Sequence, residues 1–303
     1  MRILFFGTPE FAACSLQLMI ERGFQVVGVV TAPDKPAGRG LKVRESAVKQ
    51  VALSYGIPVL QPVNLKAPEF QEQLKVLAPD LGVVIAFRML PQSVWSLPPM
   101  GTFNLHASLL PDYRGAAPIN RALMNGEKKT GVTTFFLKHE IDTGDILLQD
   151  SLEILPDENA GNLHDRLMHL GADLVICTLE GIRSKSLNPK PQEARGTLHA
   201  APKIFPEDCR INWDLDCALV HNHIRGLAPI PGAFTSYKGM HVKILESRVL
   251  PKMNAEPGSW YKPGPGRVAV ACKRGAIEVL MLQPEGKKKM AAADFANGWM
   301  QVV

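Results

Sequence analysis

Asn104 and His106 stand two residues apart in the run GTFNLHASLLPDYRGAAPIN, residues 101–120. On a β-strand that spacing points both side chains to the same face. Residues 102–107 read as such a strand, and open α/β sheets gather ligands at the C-terminal ends of their strands. A third polar group, Asp142, lies in the turn-like EIDTGD, residues 140–145. An amide, an imidazole and a carboxylate can together hold a tetrahedral oxyanion and move protons. The same residues also have ordinary uses. Asn at a strand end satisfies backbone groups, a single His packs in a core, and Asp-Thr-Gly makes a turn. Spacing alone leaves both readings open.

The elements that must position these residues alternate between strand and helix over the first 180 positions. Strands are expected at 2–8, 25–31, 58–61, 81–87, 102–107, 132–137 and 146–154, with helices at 9–22, 45–55, 69–77 and 162–181. The strands are short and Val- or Leu-rich, as in a Rossmann-like, mostly parallel sheet covered by helices on both faces. The first strand ends in Phe6-Gly7-Thr8-Pro9-Glu10-Phe11. That segment has one glycine where a dinucleotide fingerprint needs three, which disfavours NAD and FAD, and Gly7 reads as a tight strand-to-helix turn.

Residues 186–206 carry four prolines and no periodicity, the pattern of a linker. Beyond them a short helix at 215–225 precedes strand patterns at 234–237, 241–249, 267–273 and 276–282, separated by Gly or Pro turns. Such a pattern suits a small barrel or sandwich, and a small β-barrel of the OB-like kind is the expectation adopted. The expected organisation is therefore an α/β domain at 1–185, a linker at 186–206 and a β-barrel domain at 207–303.

Composition narrows the class. Of 303 residues, 46% are hydrophobic and 21% charged, close to globular averages. No apolar run approaches the ~18–20 residues that cross a bilayer. The start of the chain lacks the basic, apolar and small-residue order of a signal peptide. Five scattered cysteines without a CxxC pair fit a reducing cytoplasm rather than a disulfide scaffold. Cys209, Cys217, His221 and His223 cluster, but their spacing matches no standard zinc pattern. The net charge of +5 is uneven, with 21 basic against 20 acidic residues in 1–206 and 13 against 9 in 207–303. Charge by itself fits either solubility or an anionic partner.

The motifs Asn104-Leu105-His106, Ser108-Leu109-Leu110-Pro111, Tyr113-Arg114-Gly115-Ala116-Ala117-Pro118 and Asp142-Thr143-Gly144-Asp145 resemble, in order, the signature of formyltransferases that use 10-formyltetrahydrofolate. Two further features resemble the branch of that family whose acceptor is initiator methionyl-tRNA. One is residues 6–11 followed by Pro33-Asp34-Lys35-Pro36-Ala37-Gly38-Arg39-Gly40. The other is a C-terminal domain with Pro202-Lys203-Ile204, Ile211-Asn212-Trp213, Pro231-Gly232-Ala233 and Gln283-Pro284-Glu285-Gly286-Lys287-Lys288. The resemblance covers essentially the whole chain.

It implies that Asn104, His106 and Asp142 are catalytic in moving a formyl group to the α-amino group of methionine on the tRNA, in support of translation initiation. It implies folate contacts by Ser108, Leu109, Leu110 and Pro111, and by Arg88, Met89 and Leu90 at the pterin end. The family often has Tyr-Gly where this chain has Phe87-Arg88, a change that leaves backbone contacts available. It further implies tRNA contacts by Lys35, Arg39, Lys42 and Arg44 in a basic loop and by Lys287 and Lys288. The implied chemistry requires no metal and no membrane, and nothing demands more than a monomer. Other acceptors (an amino-sugar nucleotide, glycinamide ribonucleotide or water) and a non-catalytic RNA-binding role remain open. The basic loop argues against the former and the intact polar triad against the latter.

Overall fold

Strand β1 (Arg2–Gly7) buries Ile3, Leu4, Phe5 and Phe6 completely, so both of its faces need cover. The computed structural model, which describes residues 1–37, 42–193, 196–250 and 255–300, supplies that cover with helices. After β1 come α1 (Glu10–Glu21), β2 (Gln25–Val30), β3 (Lys35–Ala37), β4 (Lys42–Arg44), α2 (Ala47–Ser54), β5 (Val59–Leu60), α3 (Pro68–Leu77) and β6 (Leu81–Ile85). There follow α4 (Gln92–Trp95), β7 (Thr102–His106), α5 (Pro118–Met124), β8 (Lys129–Phe136), β9 (Ile146–Glu153) and α6 (Ala160–Ser184). Seven strands form one sheet in the order β5-β2-β1-β6-β7-β8-β9.

The first five strands in that order are parallel, and β8 runs antiparallel to β7. The Rossmann-like expectation holds. Strand order reverses at β1, which has β2 on one side and β6 on the other, so a crevice opens at the C-terminal ends of β1 and β6. Gly7 lies at that end. A Cβ there would collide with Ala12 and the Phe5 ring, so the glycine is required by close packing of α1 on β1. On one face, Leu4, Phe6, Val30 and Val84 pack against Phe70 and Leu74 of α3 and Val94 of α4.

The chain divides into two compact units, one comprising Met1–Gly115, Gly131–Leu152 and Asp165–Ala200, the other Ala116–Thr130, Glu153–His164 and Ala201–Val303. Residues 186–200 therefore pack as part of the first unit. Lys190 pairs with Ile146 of β9, and Ala200 bridges to Arg114.

The second unit contains a 3-10 turn (Pro206–Cys209), α7 (Cys217–Leu227), β10 (Ala233–Tyr237), β11 (Met240–Leu250), β12 (Trp260–Tyr261), β13 (Val268–Ala271), β14 (Ala276–Pro284), β15 (Met290–Ala291) and α8 (Ala292–Trp299). Its antiparallel sheet runs β10-β11-β14-β13-β12, with β15 added to β14, and curls as a half-barrel. Helix α8, unexpected from a segment holding Asn297 and Gly298, forms because Phe295 is fully buried against Tyr237 and Trp260 at ring separations of 5.2 and 5.8 Å. The Cys209 thiol donates to the Phe205 carbonyl, while His221 pairs with Ser247 through Nδ1 and with Asp157 through Nε2.

Glu278 of β14 is a buried carboxylate that accepts from Arg267 Nε at 2.5 Å. That hydrogen bond holds the Glu278 carboxyl below its ordinary range, against the opposite push of burial. A carboxyl lowered in the folded state adds stability above its unfolded pKa and loses it as pH falls through the folded value. Urea midpoints measured from about pH 6 down to about pH 3 should therefore fall more steeply for the native chain than for Glu278→Gln, which starts less stable and lacks this titration.

Candidate active site

Strand β7 delivers Asn104 and His106 at the C-terminal edge of the sheet, between Val84 of β6 and the β8 residues Phe135 and Thr133. His106 is buried. Its Nε2–H donates to the Tyr113 carbonyl at 2.9 Å, because a carbonyl can only accept. The proton on Nε2 leaves Nδ1 as the nitrogen that faces Asp142, 3.9 Å from Oδ2. Asp142 sits at φ +55° in the turn between β8 and β9, and its Oδ2 accepts from the Gly115 N–H at 3.0 Å. The sequence-predicted His106 and Asp142 are thus brought together, from positions 36 residues apart. Asn104 shares their strand face, and its Oδ1 is buried with no hydrogen-bond partner. An orphaned acceptor beside a His–Asp pair is an opening for a ligand N–H or a water.

Three non-glycine residues around this edge have left-handed backbone. Ala86, just past β6, has φ +46°, Tyr113 has +58° and Asp142 has +55°. Each costs a non-glycine residue on the order of 1–3 kcal/mol and persists where surrounding contacts enforce it. Gly144, two residues beyond Asp142, admits no side chain, since a Cβ would fall on the Phe136 carbonyl. The turn can therefore lie directly against β8.

The loop after β7 is held from below. Thr133 donates its hydroxyl to the Ser108 carbonyl at 2.7 Å and accepts from the Leu110 N–H at 3.1 Å. Gln149 donates to the Leu110 carbonyl at 2.8 Å. Ser108 is buried and spends its hydroxyl on the Asp112 carbonyl, and Leu110 is buried as well. Leu109 and Pro111 are half-buried. Thr133 and Gln149 carried no sequence signal, because strand residues of their kind are common and their partners lie 16 to 39 positions away.

A groove of about 820 Å³ lies between residues 63–66 and residues 88–93, the latter following β6. Met89 is exposed in it and Leu90 is buried beneath. The Arg88 guanidinium donates to the carbonyls of Pro62 and Val63, tying one wall of the groove to the other. The wall is apolar apart from Asn64, Lys66, Gln92, Ser93 and Arg88, a composition that suits a flat heterocycle with a few polar edges.

Of the expected tRNA contacts, Arg39 lies outside the described residues. Lys35, Lys42 and Arg44 fall on an antiparallel hairpin, β3 with β4, where the sequence read as an irregular loop. Three-residue strands containing Pro36 offer no periodicity to detect. Lys49 of α2 closes the base of the hairpin by pairing with Asp34 and, at 3.1 Å, with Glu45. That contact holds the Asp34 carboxyl below its ordinary range. Lys287 and Lys288 are exposed in the turn between β14 and β15, where Gln283 donates to the Lys287 carbonyl.

Comparison with known proteins agrees with this architecture. The family profile described as formyl transferase matches residues 1–179, and that described as formyl transferase, C-terminal domain, matches residues 203–299. A methionyl-tRNA formyltransferase of Bacteroides fragilis is 48% identical over 99% of this chain and 95% of its own length. Among solved structures, HypX from Aquifex aeolicus in complex with tetrahydrofolic acid gives a TM-score of 0.68 at 21% identity, over all of this chain and 48% of that one. Methionyl-tRNA formyltransferase from Clostridium thermocellum gives 0.56 at 17% identity, over 84% of this chain and 94% of that one. At those identities the structural likeness is one of fold. No helix among the described residues is long and apolar enough to cross a membrane. With both of its domains matched in order along one chain, the protein belongs to the formyl transferase family.

Proposed function

We propose that the chain transfers a formyl group from 10-formyltetrahydrofolate to the α-amino group of methionine on initiator methionyl-tRNA, in support of translation initiation. The observation that carries this reading is the meeting of His106 and Asp142 beside the unpartnered Asn104 Oδ1, at the strand edge of a formyl transferase fold. The choice of acceptor rests on the relative at 48% identity, which carries that name.

In this reading the folate is a substrate that brings the formyl group. Attack by the amine turns the formyl carbonyl oxygen into an oxyanion. Asn104, through its amide N–H, and His106, charged at Nδ1, stabilise that oxygen; such donors are worth about 2.7–4 kcal/mol each in a transition state. The buried Asn104 Oδ1 accepts from the incoming amine and orients its lone pair. Asp142, steadied by the Gly115 N–H, holds His106 in register and takes up the proton that the amine loses. His106 returns a proton to the departing folate nitrogen. Arg88, Met89 and Leu90 hold the folate in the groove, Leu109 and Pro111 contact it from the loop after β7, and Ser108 and Leu110 give that loop its shape. Lys35, Lys42 and Arg44 on the hairpin, together with Arg39, and Lys287 and Lys288 in the C-terminal domain at 207–303, contact tRNA phosphates and sugars.

Incubation with formyl-labelled folate and a panel of acceptors tests the reading. Methionyl initiator tRNA should be formylated in preference to an amino-sugar nucleotide or glycinamide ribonucleotide, and preference for either of the latter would overturn it. Asn104→Ala should lower kcat by roughly 100- to 1000-fold with the fold intact by circular dichroism. Arg88→Ala should act differently, by freeing the wall at Pro62 and Val63. It should raise KM for the folate while kcat changes little, as loss of uniform binding does. Affinity for tRNA should fall linearly with log salt, and removing Lys287 and Lys288 together should reduce that slope by roughly one unit per lysine.

A further inference from the structure

Residues 190–193 and 196–200, within the stretch read as a linker, pack against the candidate catalytic loops. Lys190 exchanges backbone hydrogen bonds with Ile146 at 2.7 and 2.9 Å. The His199 carbonyl accepts from the Tyr113 N–H at 2.7 Å, and its ring stacks on Tyr113 at 5.4 Å. Between them, Gln192 makes four hydrogen bonds with one carboxamide. Its Nε2 donates to the Asp142 carbonyl at 2.9 Å and to the Gly144 carbonyl at 2.8 Å. Its Oε1 accepts from Arg114 Nε at 3.1 Å and Nη2 at 2.6 Å. Two donors and two lone pairs are all that a carboxamide offers, so the group is saturated. Its orientation is settled by chemistry, because the reverse would set an NH2 against a guanidinium and an oxygen against two carbonyls.

We infer that Gln192 is a positioning residue for formyl transfer, a clasp that locks the Asp142 turn to the Tyr113-Arg114-Gly115 loop. The two segments it joins are the two that hold His106 and Asp142 in register. Tyr113 supplies the carbonyl for His106, and Gly115 supplies the N–H for Asp142. Asp142 and Gly144 lie in a turn with left-handed backbone at Asp142, where the carbonyls would otherwise face solvent and the turn could relax. Gln192 touches no reacting atom; it acts through Asp142. The inference rests on the reading of His106 and Asp142 as catalytic.

Gln192→Glu isolates the clasp. A glutamate keeps the size and the partnership with Arg114, but turns a carboxylate oxygen toward two carbonyls that need donors. Its kcat for formyl transfer should fall on the order of 10- to 100-fold, with KM for folate and for methionyl-tRNA within about twofold and an unchanged thermal midpoint. The pH profile of kcat should also move, because Asp142 no longer faces His106 in a fixed geometry. Gln17→Glu, a change on the exposed surface of α1, serves as the control and should leave all of these as in the native chain. Gln192→Ala, followed by amide hydrogen exchange, gives a readout independent of turnover, and exchange over residues 113–116 and 140–146 should rise selectively. A Gln192→Glu enzyme with native kcat and pH profile overturns the inference, as does unchanged exchange in the alanine variant. Failure of the native chain to formylate methionyl-tRNA counts against the functional reading instead, and leaves the exchange result to judge the clasp.

Discussion

His106 and Asp142 face each other across 3.9 Å with side chains only 8% and 12% exposed, and much of the surrounding structure serves that separation. Polar groups so far from water interact more strongly than at a surface, and they are also costly to leave unpaired. Neither side chain is placed by its own element alone. His106 is anchored on its far nitrogen by the Tyr113 carbonyl, and Asp142 is anchored by the Gly115 N–H. One short loop therefore sets the distance between the two groups from both ends. Thr133 and Gln149 fix the start of that loop, and Gln192 with His199 fixes its end.

The charge of the chain has to be read after pairing, not before. Lys49, in the most basic stretch of the first unit, is committed to Asp34 and Glu45 and cannot also bind phosphate without giving up that pairing. In 207–303, Arg267 and Arg274 are paired with Glu278 and Asp216, so they contribute little net field. The exposed Lys287, Lys288 and Lys289 differ from these in standing in a turn, where long side chains reach outward. Such pairs cancel within the net +4, so that excess is carried by cations outside them, Lys287, Lys288 and Lys289 among them.

The parallel strands were legible because each is a short apolar run with Gly or Pro close to at least one end, and β7 could be placed with its two polar residues on one face. The hairpin β3–β4 and helix α8 were not, since neither has enough residues of one period to rise above the local pattern. Asn104, His106 and Asp142 were visible through residue type and motif. Their supports were not. Gln192 lies 50 positions from Asp142 and 78 from Arg114, inside a proline-containing stretch whose composition resembles any linker. Nothing local marks a residue whose role is to satisfy backbone carbonyls brought near it only by the finished fold.

The degree to which these groups are satisfied distinguishes scaffold from chemistry. Gln192 uses its full hydrogen-bonding capacity, Thr133 donates once and accepts twice, and Ser108 is committed to its own loop. Asn104 Oδ1, buried on the same sheet edge, has no partner. A protein that pairs nearly all the polar atoms around a site and leaves one acceptor bare has concentrated the desolvation cost at a single place. A ligand N–H arriving there recovers that cost on binding. In the proposed reaction, donors already aligned by rigid neighbours need no reorganisation as charge develops on the formyl oxygen. The strained turns at Ala86, Tyr113 and Asp142 fit the same division, because their cost is met by folding and not during turnover.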